Sequence, residues 1–337
     1  MRIAATGPSR AQLGKSTDEP SNAHRPGDAR EVGGGPPARR AAAAVRWYRR
    51  GGLMTLAFAA PVVLVFGFFS WGPIVRGLVM GFQRTNLVDA PSWVGWANFS
   101  YVLEDPQLGQ AVGNTAWFAL LALVVGFPVP LFLAVFMAEL RGARGLFNVL
   151  SYLPVVVPPV VAAMLWRFFY APSADGVFNQ ILGVVGLGPY PWLNSDAAAM
   201  PAIVVEVTWA TAGGTVIIYL AALTAVKTEL YEAAELDGSG IWRRLWHVTL
   251  PQMRGIILVL LLLQLIGTLQ IFNEPFIFGG AGGAPNGATL TLLMKIYNYA
   301  FVFGDFGAAT ALSAMLAVVL GLLSVIYLIA TRKWSAS

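Results

Sequence analysis

"YEAAELDGSGIWRRLWHVTLPQ" (Tyr231–Gln252) is the polar exception in a chain that is otherwise mostly apolar. From Glu229 to Asp237 the residues are good helix formers and read as a helix. Gly238, Ser239 and Gly240 interrupt it. A second short helix, Ile241–Leu250, puts Ile241, Leu245 and Val248 on one face. Pro251 ends the stretch. The expected structure is a rigid helix–turn–helix that carries Glu232, Glu235, Asp237, Arg243 and Arg244 on its surface. The small side chains of Ala233 and Ala234 allow another surface to approach closely.

The rest of the chain says where this hairpin sits. Of 337 residues, 57% are hydrophobic and 12% are charged, whereas a soluble domain spends about a quarter of its residues on charge. Six stretches approach or exceed the roughly 20 apolar residues that a helix needs to cross a bilayer: Leu53–Trp71, Ala111–Ala138, Leu146–Phe169, Ala199–Val226, Gly255–Phe272 and Gly307–Thr331. The expected fold is all-α, a polytopic membrane bundle of six transmembrane helices with the hairpin outside the bilayer. Pro61, Pro128, Pro130, Pro154, Pro158 and Pro159 fall within these spans and are expected to be tolerated kinks, because bundle packing can satisfy the freed backbone groups. Residues 1–50 are rich in Arg, Ala, Gly and Pro without apolar periodicity. They are expected to form a disordered tail, with the membrane domain spanning 51–337.

Basic residues orient the bundle. The two chain ends and the loops after spans two and four carry thirteen Lys and Arg with the distal tail left out, whereas the opposite loops carry four: Arg76, Arg84, Arg167 and Lys295. Both termini are therefore expected in the cytoplasm. The net charge of +5 follows from this topology and calls for no nucleic-acid partner. Trp71, Trp166, Tyr170 and Trp192, with Trp47, Tyr48 and Trp334, fall near span ends, as interfacial aromatics do.

Several chemistries lack their residues. There is no Cys, and His24 and His247 have no metal-ligand spacing, so no metal site is expected. No "GxxxxGK[ST]" phosphate loop occurs, and no nucleophile–base set appears. "GGAGGAPNG" (Gly279–Gly287) lacks the Lys-Ser/Thr of a phosphate loop and is expected to be a flexible outer turn. Within the spans Glu206 is the main ionisable group. A carboxylate in lipid is costly and often functional, and an interfacial or packed role is the open alternative. Thr208, Thr211, Thr215, Gln264, Thr268, Gln270 and Asn273 supply uncharged polar groups suited either to a hydroxylated solute or to helix–helix hydrogen bonds.

Glu232-Ala233-Ala234, then Gly238, then Val248-Thr249-Leu250-Pro251 resembles the "EAA" loop in permease subunits of bacterial ABC importers. "ELYEAAELDG" resembles the carbohydrate branch, including the maltose, trehalose and glycerol-3-phosphate permeases. "LPVVVPPVVAAMLWRFFYAPSADGVFNQIL" (Leu153–Leu182) and "DFGAATALSAML" (Asp305–Leu316) resemble other parts of the same branch. The similarity covers roughly residues 53–334. It implies that the loop at about 227–254 is a coupling helix seated on an ATP-binding subunit, with contact through Glu232, Ala233, Ala234, Asp237, Gly238, Leu250 and Pro251. It implies a second permease, two ATP-binding subunits that hold ATP and Mg, an extracytoplasmic solute-binding protein and a bacterial inner membrane. Counting along the family pattern places Thr211, Gly214, Gly267 and Ile271 on the substrate path, with Gln270 and Asn273 nearby. The implied solute is a sugar or oligosaccharide. Glycerol-3-phosphate or another polyol is the alternative within this class, and a membrane scaffold that docks a soluble partner is the alternative outside it.

Overall fold

The computed structural model describes residues 52–139 and 144–335. The expected disordered tail, 1–50, lies outside them, as does the basic loop residue Arg141. Two compact units divide the chain at Phe66–Gly67. The first contributes α1 (Gly52–Phe66), an apolar helix with Pro61 inside it and Val62 and Phe58 exposed. Exposed apolar side chains of this kind suit lipid.

The second unit opens with a π-helical turn, Gly67–Trp71, followed by α2 (Gly72–Met80). A two-residue ribbon, β1 (Gln83–Arg84) with β2 (Ser92–Trp93), is the one departure from an all-α fold among the described residues. Asn98, in α3 (Ala97–Leu103), braces it by donating to Gly81 O and Gln83 O, both at 2.9 Å. Next come α4 (Leu108–Leu121), α5 (Pro128–Glu139), α6 (Arg144–Val156), α7 (Pro159–Phe169) and α8 (Val177–Val184). The long α9 (Asp196–Thr224) packs along α5 and α6. Here Met137, Val216, Tyr219 and Met253 form a buried cluster, and nearer the other end of α9 Phe118, Met200 and Ile203 form another. The hairpin is α10 (Thr228–Leu236) and α11 (Ile241–Arg244). It is followed by α12 (Leu250–Thr268), α13 (Asn273–Gly279), α14 (Leu292–Tyr297) and α15 (Phe306–Ser335).

Five helical runs are long and apolar enough to cross a membrane: Met54–Met80, Leu108–Glu139, Asp196–Thr224, Ile241–Gly279 and Phe306–Arg332. The expected third span is instead α6 and α7, which meet at a bend of 100°. Pro158 and Pro159 cause the break. A residue before proline is pushed out of the helical region, and Pro158 itself is extended, with ψ at 135°. Pro154 stays inside α6 and Pro61 inside α1, so the expectation of tolerated kinks fails at the double proline.

Three other prolines explain three of the four π turns among the described residues; the fourth, Asn298–Val302, has no proline after it. Pro73 follows Gly67–Trp71, Pro128 follows Ala122–Gly126 and Pro251 follows Leu245–Thr249. Proline has no N–H and its ring collides with the carbonyl four residues back. One extra residue in the preceding turn widens it and shifts the bonding to i→i−5, as in Phe127 N to Ala122 O at 2.8 Å. Helix thus continues through Pro251, and the expected separate helix Ile241–Leu250 is the start of the fourth of these long runs.

"GGAGGAPNG" is not the loose turn its composition suggested. Ala284 N bonds Gly279 O at 2.8 Å and Thr289 N bonds Gly283 O at 3.1 Å. Gln110 donates to Asn286 O and Asn114 to Gly287 O and Leu290 O. Gly283 has φ +66°, and a Cβ there would meet Leu290 N at 2.3 Å. Gly279, Gly283 and Gly287 serve close packing.

Candidate functional site: an exposed hairpin and a cavity on one helical run

The hairpin turn is fixed by its own backbone. Gly238 has φ +71°, Ser239 N donates to Ala234 O at 2.9 Å and Gly238 N donates to Glu235 O at 3.0 Å. This paired pattern caps a helix C-terminus, and the residue with positive φ in it is usually glycine. Side chains then tie the arms together. Tyr231 Oη lies 3.0 Å from Thr249 Oγ1. Arg244 pairs with Glu235 across the turn and reaches Glu139, at the end of α5, at 3.3 Å. The Arg244 side chain is largely buried, and Glu139 and Glu235 are exposed.

Of the residues expected to couple, Glu232, Ala233, Asp237, Gly238 and Pro251 are exposed, and Ala234 and Leu250 are half-buried. Glu232 has no hydrogen bond or ion pair among the described residues. Around it Leu236 is 90% exposed, and Trp242 and Trp246 also face outward. Unpaired charge beside uncovered apolar surface is what a docking face offers.

A cavity of about 460 Å³ lies between α4, α5, α9 and α12. Thr208, Thr211 and Thr215 come from α9, and Gln264, Gly267 and Thr268 come from α12. Ile271 and Glu274 complete that side. Three of the six path positions expected from sequence, Thr211, Gly267 and Ile271, meet here. Gly214, Gln270 and Asn273 do not line it. Gln270 and Asn273, expected near the path, fall where α12 has ended at Thr268 and α13 is only beginning, which leaves them off the wall. Gly214 lies next to Thr215 and carries no side chain to reach the wall.

Glu206 is 1% exposed and lies off the cavity wall, with one carboxylate oxygen unpaired among the described residues. Glu274, which is within electrostatic reach of it, is the carboxylate on the wall. Sequence reading passed over Glu274 because it sits in the break between apolar segments. The signal available was a second acidic residue in a stretch nearly free of charge.

A second tie also escaped notice. Lys295, 2% exposed, donates to Asp105 at 2.5 Å, and Tyr299 donates to the same oxygen. Burial acts to raise the Asp105 pKa, but the hydrogen bonds from Lys295 and Tyr299 outweigh it and hold the carboxyl below its usual value. The pair joins the loop after α3 to α14.

Known proteins with this organisation are transport components. Residues 126–335 match the family model described as "Binding-protein-dependent transport system inner membrane component". The arabinooligosaccharides transport system permease protein AraP of Bacillus subtilis (strain 168) is 30% identical over 272 residues, covering 80% of this chain and 86% of that protein. The lactose transport system permease protein LacF of Rhizobium radiobacter is 32% identical over 284 residues, with coverage of 82% and 93%. A chain of the bacterial alginate ABC transporter, solved in complex with an alginate pentasaccharide-bound periplasmic protein, superposes with a TM-score of 0.74. It is 28% identical and covers 85% of this chain and 97% of that one. With its membrane-length helices, its exposed "EAA" hairpin and a family match over most of its length, the chain belongs to the inner membrane components of binding-protein-dependent transport systems.

Proposed function

We propose that this chain is one of two permease subunits of an ATP-driven importer for a sugar or oligosaccharide in a bacterial cell membrane. An extracytoplasmic binding protein delivers the solute, and two ATP-binding subunits hold ATP and Mg and hydrolyse the nucleotide. The chain itself holds no cofactor and catalyses no reaction. Both termini and the hairpin face the cytoplasm, in keeping with the distribution of Lys and Arg.

One observation carries this reading. The helix that continues from Ile241 to Thr268 bears the second arm of the hairpin near its start and Gln264, Gly267 and Thr268 of the cavity wall at its far end. A push on the hairpin is thereby delivered to the cavity wall through one element. Glu232 and its apolar neighbours supply the face that receives the push. The cavity's hydroxyl and amide groups match the hydrogen bonding of a saccharide, and relatives named for arabinooligosaccharide and lactose transport support that solute class.

The test is the complex of this chain with its partner permease and ATP-binding subunits in nanodiscs. The loaded binding protein should stimulate ATP hydrolysis in the parent complex. Glu232→Lys should abolish the stimulation while the permease pair still assembles. Full stimulation in that variant would leave the hairpin as an ordinary surface loop.

A further inference from the structure

The hydrogen-bonding groups of the cavity wall are unevenly divided. Thr208 Oγ1 donates to Val204 O at 2.6 Å, Thr211 Oγ1 to Val207 O at 2.7 Å and Thr268 Oγ1 to Leu265 O at 3.0 Å. Each hydroxyl hydrogen is spent on its own helix, so what these residues offer the cavity is oxygen lone pairs. Glu274 adds a carboxylate, which only accepts when ionised. Against these stand few donors, the Gln264 amide and the Thr215 hydroxyl. No Lys, Arg or His lines the cavity among the described residues.

The surroundings do not reverse the bias. Along α4, α5, α9, α12 and α13 the acidic and basic side chains are Glu139, Asp196, Glu206, Arg254 and Glu274. Glu139 is the last residue of α5, Asp196 the first of α9, and Arg254 lies in the first turns of α12. The other two, Glu206 within α9 and Glu274 at the start of α13, are both acidic. A carboxylate or phosphate in transit needs N–H donors or cations to replace its water. A neutral sugar hydroxyl can donate to an acceptor, and so can the ammonium of an amino sugar.

We propose that this chain's side of the path, given the transport reading above, selects by charge: an acceptor-rich wall headed by Glu274 favours neutral and cationic saccharides and turns anionic ones away. The solute named for the structural neighbour, alginate, is an acidic polysaccharide. The shared fold therefore does not carry that neighbour's charge preference over to this cavity.

The absence of Cys allows a direct test that needs no knowledge of the solute. Thr211→Cys and Gly267→Cys each place one thiol on the wall, and Gly267 has open space where the side chain would go. The assembled transporter is treated with trimethylammonioethyl or sulfonatoethyl methanethiosulfonate. Rates are read from the mass of this chain and normalised to 2-mercaptoethanol. The cationic reagent should react about tenfold faster than the anionic one, as expected for a carboxylate within several ångströms in a partly screened site. Glu274→Gln should bring the normalised ratio close to one, and Glu274→Asp should retain the preference. Equal rates in the parent background, or a preference that survives Glu274→Gln, would overturn the charge filter and leave the path intact. If neither reagent reaches either thiol, the path reading falls and the filter with it.

Discussion

The hairpin and the cavity are built in opposite ways. The hairpin is local: Ser239 bonds Ala234, and Arg244 pairs with Glu235 nine residues away. The cavity is assembled from helices that run from Phe118 to Glu274, and no short segment contains it. A locally closed device can carry the same sequence pattern wherever it is needed. A cavity wall can change one side chain at a time without disturbing such a pattern.

The sharpest way to break this contrast is Gly238→Pro. Proline cannot adopt φ +71° and removes the N–H that bonds Glu235 O. Stimulated ATP hydrolysis and uptake should fall together by about a hundredfold, the equivalent of roughly 2.7 kcal/mol of lost interface energy. Normal coupling would show that the turn geometry is dispensable. Next in size is a pair of variants on the cavity side. Thr211→Trp should reduce uptake by about tenfold, or about 1.4 kcal/mol, by filling a cavity of about 460 Å³. Gln270→Trp should transport normally because Gln270 is exposed and off the wall. Equal loss in both would return Gln270 to the path. Arg244→Ala should cost less, about 0.5–1 kcal/mol of thermal stability, because its partners Glu139 and Glu235 are solvent-exposed. A larger loss would show that the hairpin depends on its tie to α5.

The smallest effect expected at ordinary pH comes from the pair that joins residues 190 apart, Asp105 and Lys295. The Asp105 carboxyl is held below its usual pKa of 3.8 in the folded chain, so its contribution is complete above that value. It should be lost as pH falls through the lower, folded value. Melting of the purified permease from pH 6 to pH 3 should therefore show an acid-dependent loss that Asp105→Asn removes. An identical acid profile in both proteins would show that the pair is not linked to folding.

Sequence legibility followed the same division between local and distant. Membrane-length hydrophobic runs and the "ELYEAAELDG" segment were readable because each is a property of neighbouring residues. The 100° bend at Pro158 was missed because single prolines such as Pro154 stay within helices, whereas here a second proline adjoins the first. The π turn before Pro251 hid the continuity of Ile241 with α12, since a proline after a short helix ordinarily reads as a stop. Glu274 and the Asp105–Lys295 tie depend on which helices meet. The break at residues 269–272, which counting along the family pattern does not reveal, leaves Gln270 and Asn273 off the cavity wall.

The helix that runs unbroken from Ile241 to Thr268 is about 42 Å long at about 1.5 Å per residue, longer than the roughly 30 Å of a bilayer's hydrocarbon core. Such a rod is a lever. A tilt of about 10° around its midpoint sweeps each end through about 4 Å, most of one helical turn. Gly267 sits near one tip and Trp242 near the other, so a shift of a few ångströms at the hairpin reappears as a comparable displacement at the cavity wall. The amplitude of the stroke is thus set by the length of one helical run, and inserting or deleting a turn between Arg254 and Gln264 would change the gearing without touching either end.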